Sequence, residues 1–242
     1  MQHKINNSSK LAFLSVLATL ASAASAQHVD IRPYVSSGQI VTAGGEGDTP
    51  TRAFGYDFGE TVGDPYVIGD PGFNAASGTG LTPGSGLRFN VLSSLGYWNG
   101  AGVEASFSAT PAHESIRFNF GGSNTLVTDE SGAQAGFLLQ NVASDGSIHR
   151  HLNTFLNGAD GNAVAGDGTE PAAGIYAVLL ELTSSDAGIA ASEPFYLVFN
   201  NGLEEAPHDA AMESLSASLV PEPTTLTAVA AAGAALLRRR RN

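Results

Sequence analysis

The sequence predicts a mainly β protein, an antiparallel β-sandwich of the jelly-roll or immunoglobulin-like kind with a short C-terminal helix. Three observations favour this fold class. Apolar and polar residues alternate along several short runs, and turns rich in glycine, aspartate and proline separate those runs. Glycine is frequent, at 29 of 242 residues, while charged residues make up only 14% of the chain. This composition argues against a helical bundle or a coiled coil.

Eight runs carry the period-two pattern of a strand with one buried face. In chain order they are residues 29–35, 39–42, 87–91, 116–120, 137–142, 148–156, 176–182 and 195–199. The alternation is clearest in residues 176–182, where Tyr176, Val178 and Leu180 share one parity. So many strands joined by tight turns predict two packed sheets.

Two regions depart from the strand pattern. Residues 59–86 are so rich in Gly, Pro and Asp that we expect a long loop, with one short strand at residues 66–68. Residues 207–219 predict a helix that packs on the sandwich, with Pro207 in its first turn. The apolar residues that share one face of this helix are Ala211, Met212, Leu215 and Leu219.

The first 26 residues have the three parts of a secretory signal peptide. A polar start with Lys4 and Lys10 precedes the apolar residues 11–21, and residues 24–26, Ala-Ser-Ala, form the small-x-small pattern that a signal peptidase accepts. We therefore expect export through the Sec route and a mature chain that begins at Gln27.

The last residues carry a second targeting pattern. Val220-Pro221-Glu222-Pro223 precedes a fourteen-residue apolar stretch, 224–237, and four arginines. Such a stretch makes a helix of about 21 Å, shorter than the roughly 30 Å hydrocarbon core of a membrane. It is a marginal transmembrane anchor, with its arginines on the cytoplasmic side. The Pro-Glu-Pro triplet, the short apolar helix and the arginine cluster resemble the PEP-CTERM sorting signal of exopolysaccharide-producing Gram-negative bacteria.

The resemblance to PEP-CTERM proteins implies a destination and a partner. It implies cleavage near the triplet by an exosortase-type processing enzyme, and release to the cell surface, the outer membrane or the extracellular matrix. Contact with the membrane is implied only through the C-terminal segment before processing. The simplest division of the chain is then a signal peptide at 1–26, one β-sandwich domain at 27–219 and a sorting signal at 220–242.

The body of the chain is acidic and lacks the common catalytic motifs. Between the two signals, five arginines face 22 of the 23 carboxylates, so no basic face exists for nucleic acid. Cysteine is absent, which excludes disulfides, thiolate metal sites and a cysteine nucleophile. We find no Gly-x-Ser-x-Gly elbow, His-Glu-x-x-His helix, P-loop or dinucleotide-binding turn. These absences predict a non-catalytic protein.

The strongest candidate site is the pair His149 and His151. On a strand, residues two apart point the same way at a spacing of about 6.5 to 7 Å, so both imidazoles can coordinate one ion. Two imidazoles are part of the ligand set that zinc prefers. The alternative interpretation of the pair is two solvated surface histidines that bind no metal. A third ligand is expected from one of five residues, which are His28, Asp30, His113, His208 and Asp209.

The residues that follow the histidine pair carry a second resemblance. Phe155, a Gly- and Asp-rich insertion, Gly174-Ile175-Tyr176 and Ser192-Glu193-Pro194 come next, before the last strand. This order resembles a surface-anchored domain found beside bacterial metal-uptake systems and in zinc-regulated PEP-CTERM proteins. It covers residues 147–202 and differs in having Thr154 where that domain has another aromatic, and in the length of the insertion. The resemblance implies that a bound ion would be zinc.

Two alternatives to a zinc site stay open. Residues 160–170 place carboxylate and amide oxygens in a Gly-rich loop, as a calcium site would, although their spacing does not match an EF-hand. Tyr66, Tyr97 and Trp98 could stack on the sugar rings of a matrix polysaccharide. The second alternative predicts a structural or carbohydrate-binding matrix protein without a metal.

Overall fold

The computed structural model describes residues 29–45, 47, 49–102 and 104–219. His28, residues 1–26, predicted as a signal peptide, and residues 220–242, predicted as a sorting signal, lie outside the described residues. The strands are β1 (Ile31–Ser36), β2 (Gln39–Gly44), β3 (Ala53–Asp57), β4 (Val67–Ile68), β5 (Gly72–Ala75), β6 (Gly86–Val91), β7 (Gly96–Trp98), β8 (Ser115–Phe120), β9 (Ser123–Thr128), β10 (Gln134–Asn141), β11 (Ile148–His151), β12 (Asn153–Asn157), β13 (Gly174–Ser184) and β14 (Phe195–Asn201), and the helix is α1 (Glu205–Ser218). Within the described part of the chain, no helix has both the length and the apolar character needed to span a membrane.

The strands form three sheets. Sheet A has the order β11-β5-β1-β2, sheet B has the order β10-β6-β13-β14-β3 with β7 also paired to β13, and sheet C has the order β4-β12-β8-β9. Most neighbours are antiparallel, but β1 with β5 and β14 with β3 are parallel. Both parallel pairs join strands that are far apart in the chain, as parallel pairing requires. The predicted mainly β fold with a short C-terminal helix is confirmed.

One hydrophobic core joins all three sheets. Phe89 of β6 stacks on Phe137 of β10, with ring centroids 4.8 Å apart, and meets Phe118 of β8 edge-on at 5.6 Å. Sheet A contributes Ile31 and Phe73, both fully buried in the same cluster. Burying one such side chain stabilises the fold by about 1.5 to 3 kcal/mol, so this cluster is the main source of stability.

The first half of β13 is buried on both faces. Tyr176 and Val178 point into the main core, whereas Ile175 and Ala177 belong to a second cluster with Leu215 of α1. The helix therefore covers the outer face of sheet B, packing against β14, β3 and β13. It begins two residues before the predicted start.

The run predicted as one strand at residues 148–156 is two strands in different sheets. β11 pairs with β5 in sheet A, and β12 pairs with β8 in sheet C. Leu152 lies between them, 1% exposed, and donates its backbone N–H to the Pro71 carbonyl at 3.1 Å. The chain thus passes from one sheet to the next at Leu152, directly after the histidine pair.

The local pattern does not predict β3, β5, β7 or β9. β3 is buried at four successive positions and therefore shows no alternation, while β9 is largely exposed. β7 has only three residues, and β5 lies inside the segment predicted as a long loop. That segment does contain β4, close to the predicted short strand.

Candidate metal site

The histidine pair lies on β11, the edge strand of sheet A. The rings of His149 and His151 lie on one side of the strand, with centroids 5.3 Å apart and planes inclined at 62°. Arg150, between them, points to the other side, where its guanidinium carbon is 3.7 Å from the centroid of the Phe120 ring. The alternation of the strand therefore leaves both imidazoles exposed on one surface.

Asp30 approaches the pair from the residue before β1. The ligand atoms of Asp30, His149 and His151 all lie within 4.8 Å of one another, and Asp30 Oδ1 is 3.7 Å from His151 Nε2. β1 and β11 are not direct neighbours, because β5 lies between them. Of the residues predicted as a third ligand, Asp30 is the one that the described structure brings to this pair.

Gly72 of β5 makes the approach possible. It is the register partner of His151 and lies between the two ligand-bearing strands. A Cβ atom at this position would overlap Asp30 Oδ1 and would lie 2.7 Å from His151 Cε1. Real Cβ atoms do not come so close to other atoms, so any side chain would move the carboxylate away. The sequence carries no local signal for this role of Gly72, because the role depends on strand register.

A backbone carbonyl and a side-chain carboxylate orient the His151 ring. Its Nδ1 lies 3.2 Å from the Gly69 carbonyl oxygen and 3.6 Å from Asp70 Oδ1. A carbonyl oxygen can only accept, so Nδ1–H is the donor, and the neutral ring then has its lone pair on Nε2, facing Asp30. Histidines that bind metals are commonly held in this way by an oxygen on the far nitrogen.

The surroundings of the site are negatively charged. Asp30 and Asp70 both lie within 4 Å of the His151 ring nitrogens. Burial raises the pKa of the Tyr56 phenol, and the nearby Asp70 and Asp30 carboxylates raise it further. Carboxylates grouped in this way attract cations.

The other predicted ligands lie elsewhere. His113 is in a turn, with a side chain 75% exposed and Nδ1 3.4 Å from Asp129 Oδ2. His208 and Asp209 lie in the first turns of α1, where burial raises the pKa of the Asp209 carboxyl and neighbouring Glu205 raises it further. His208 joins a separate group of possible ligands, described below.

The residues of the two alternative sites have local partners. In the loop at 160–170, Asp160 and Asp167 accept backbone N–H groups from residues two positions further on, and so stabilise turns. Trp98 is 4% exposed and donates its indole N–H to the Ala101 carbonyl at 3.0 Å. The ring of Tyr97 packs against Tyr176. Trp98 therefore belongs to the packing between sheet B and α1, with its ring faces covered.

No protein-family model matches the sequence, and no curated protein matches it. Among solved structures, the chain is similar to the CooA pilin subunit from enterotoxigenic Escherichia coli. The similarity has 13% sequence identity and a TM-score of 0.33, and covers 72% of this chain and 99% of the pilin chain.

Proposed function

We propose that the protein is an exported, non-catalytic component of the cell surface or extracellular matrix that binds a transition-metal ion of the zinc class. The supporting observation is the convergence of His149, His151 and Asp30 on one exposed point. Two imidazole nitrogens and one carboxylate oxygen are a donor set typical of zinc, with a fourth position left for water or an incoming ligand. The negative surroundings favour the ion over an anion.

The exposure of the site suits reversible capture of a metal ion rather than its permanent retention. The side chains of His151 and Asp30 are 46% and 30% exposed, so an ion can enter and leave without any opening of the fold. Such a site fits a protein that binds metal weakly at the surface or takes part in metal acquisition. The oriented His151 ring lowers the entropy lost when the ion binds.

The destination rests on the two targeting patterns. The signal peptide at 1–26 supports export, and the PEP-CTERM resemblance at 220–242 supports release at the surface of a Gram-negative cell by an exosortase-type enzyme. In this proposal the membrane is contacted only through the C-terminal segment before processing. The alternative, which the next experiment separates, is a structural or polysaccharide-binding matrix protein without metal.

Titration calorimetry with Zn²⁺ tests the metal proposal on the exported protein, purified without a polyhistidine tag. We expect His149→Ala/His151→Ala to weaken zinc binding at this site at least about 100-fold, with a stability change of no more than about 0.5 kcal/mol because both residues are exposed. His113→Ala is the matched control, since it removes an exposed histidine from another surface. Unchanged zinc affinity in the double variant would favour the matrix protein without metal.

A further inference from the structure

A second group of possible ligands lies on the opposite side of sheet B from the main core. Asp57 ends β3, and Glu205 and His208 lie three residues apart in the first turn of α1. Their ligand atoms all lie within 4.8 Å of one another. The group differs from the first because His208 is completely buried. A buried ionisable ring needs partners for both of its nitrogens.

Among the described residues, only one nitrogen of His208 has a hydrogen-bond partner. Nε2 lies 3.2 Å from the Val198 carbonyl oxygen, which can only accept, so Nε2–H is the donor. In the neutral ring Nδ1 then carries a lone pair. This nitrogen is buried, makes no hydrogen bond among the described residues and faces Asp57 Oδ1 at 3.4 Å. His208 is buried and the Asp57 side chain is 23% exposed, and two electron-rich atoms this close together favour a positive charge between them.

The distance between Nδ1 and Oδ1 is compatible with a bound metal ion. If a proton joined the two atoms, a charge-assisted hydrogen bond of about 2.7 to 2.9 Å would be expected. A tetrahedral ion with bonds of about 2.0 to 2.2 Å instead separates its ligand atoms by about 3.3 to 3.6 Å. The observed 3.4 Å lies in the second range.

The surrounding residues hold the carboxylate of Asp57 in place. Asn200, which is 6% exposed, donates from Nδ2 to Asp57 Oδ1 at 2.8 Å and to the Leu203 carbonyl at 2.9 Å. Such a hydrogen bond to a ligand oxygen is typical of the outer shell of a metal site. Glu205 supplies the negative charge that offsets repulsion between an ion and the positive end of the helix dipole.

We propose that Asp57, Glu205 and His208 form a second metal site, which holds a divalent ion such as Zn²⁺ or Mn²⁺ and clamps α1 to the end of β3. The site would be structural, since its histidine is buried and its ligands join a helix to a strand. It is independent of the proposed zinc site at His149 and His151, because the two groups share no residue.

The test counts bound ions on the full exported chain, stripped of metal and titrated with Zn²⁺. We expect two ions per wild-type chain. Asp57→Asn and Glu205→Gln should each lose one ion and keep the one at the histidine pair, while His149→Ala/His151→Ala should lose only the other. Glu213→Gln, an exposed glutamate on the same helix, is the matched control and should keep both ions.

A second measurement shows whether the ion clamps the helix. Zn²⁺ should slow hydrogen exchange in α1 of the wild-type protein and leave it unchanged in Glu205→Gln. Because Glu205 is exposed, this variant is expected to fold normally. Wild-type zinc stoichiometry in both Asp57→Asn and Glu205→Gln would overturn the proposal. So would a His208 imidazolium ion, seen by ¹⁵N NMR at neutral pH in metal-loaded protein.

Discussion

At the scale of single residues, the candidate zinc site depends on Gly72, whose missing side chain leaves room for Asp30 beside His151. Gly72→Ala would displace the carboxylate, which is the end of a flexible side chain, so the fold should lose little stability. The site would lose its oxygen ligand, and we expect zinc affinity to fall at least about 10-fold, equivalent to about 1.4 kcal/mol. Calorimetry with Zn²⁺ measures the change.

Gly44→Ala is the control for the Gly72 substitution. A Cβ atom at Gly44, which lies in the same sheet, would make only ordinary van der Waals contacts, 3.7 Å from Thr51 Oγ1 and from Val29 Cγ1. Its zinc affinity should equal that of the wild type. Equal affinity in Gly72→Ala as well would show that Asp30 does not bind the ion.

Two buried tyrosines set a limit on stability at alkaline pH. Burial is the main cause of the raised pKa of Tyr56 and of Tyr176, and the Glu114 carboxylate adds to it at Tyr176. An unfolded tyrosine ionises near pH 10, so the folded state binds more protons above that pH. Stability should therefore be complete below about pH 10 and fall as the pH rises further.

Absorbance at 295 nm and far-UV circular dichroism, followed together from pH 8 to 13, check the tyrosine prediction. The last tyrosines should ionise only as the sheet signal is lost. In Tyr176→Phe the loss of structure should depend less steeply on pH, because one linked ionisation is removed. Complete tyrosinate absorbance with an intact sheet spectrum would contradict the assignment of these two rings to the core.

At the scale of elements, aromatic packing between β6, β8 and β10 joins sheets B and C. Phe89 contacts both Phe137 and Phe118 and is 1% exposed. Phe89→Ala should lower the free energy of unfolding by about 3 to 5 kcal/mol, because it leaves a cavity in the core. Urea denaturation measures the loss.

A matched surface substitution distinguishes the loss of core packing from a general effect of replacing a residue by alanine. Leu126 on β9 is 46% exposed, so Leu126→Ala should change stability by no more than about 0.5 kcal/mol. A similar loss in both variants would indicate that Phe89 does not bridge the sheets as described.

At the scale of the whole molecule, both ends of the chain carry targeting patterns around an acidic body. We expect the mature protein to begin at Gln27 and to end near Val220. The intact mass of the protein isolated from its native host measures both ends at once. A mass that includes the four C-terminal arginines would contradict the proposed sorting step.

The strands with alternating burial and the orientation of the histidine pair follow from local pattern. Alternation in residues 176–182 correctly places Tyr176 in the core, because one face of a strand repeats every second residue. The same rule puts His149 and His151 on one side of β11. Strands without alternation, such as β3, leave no such local signal, since both of their faces are buried.

The third ligand and the second group are decided by tertiary structure. The sequence does not distinguish between Asp30, His113 and His208 as the third ligand. The pairing of β1, β5 and β11 brings Asp30 to the histidine pair on β11. His208 is buried instead, because α1 packs its first turn against the end of β3. The physical reason is that alternation acts between neighbours in the chain, whereas strand register and helix docking depend on contacts between residues far apart in it.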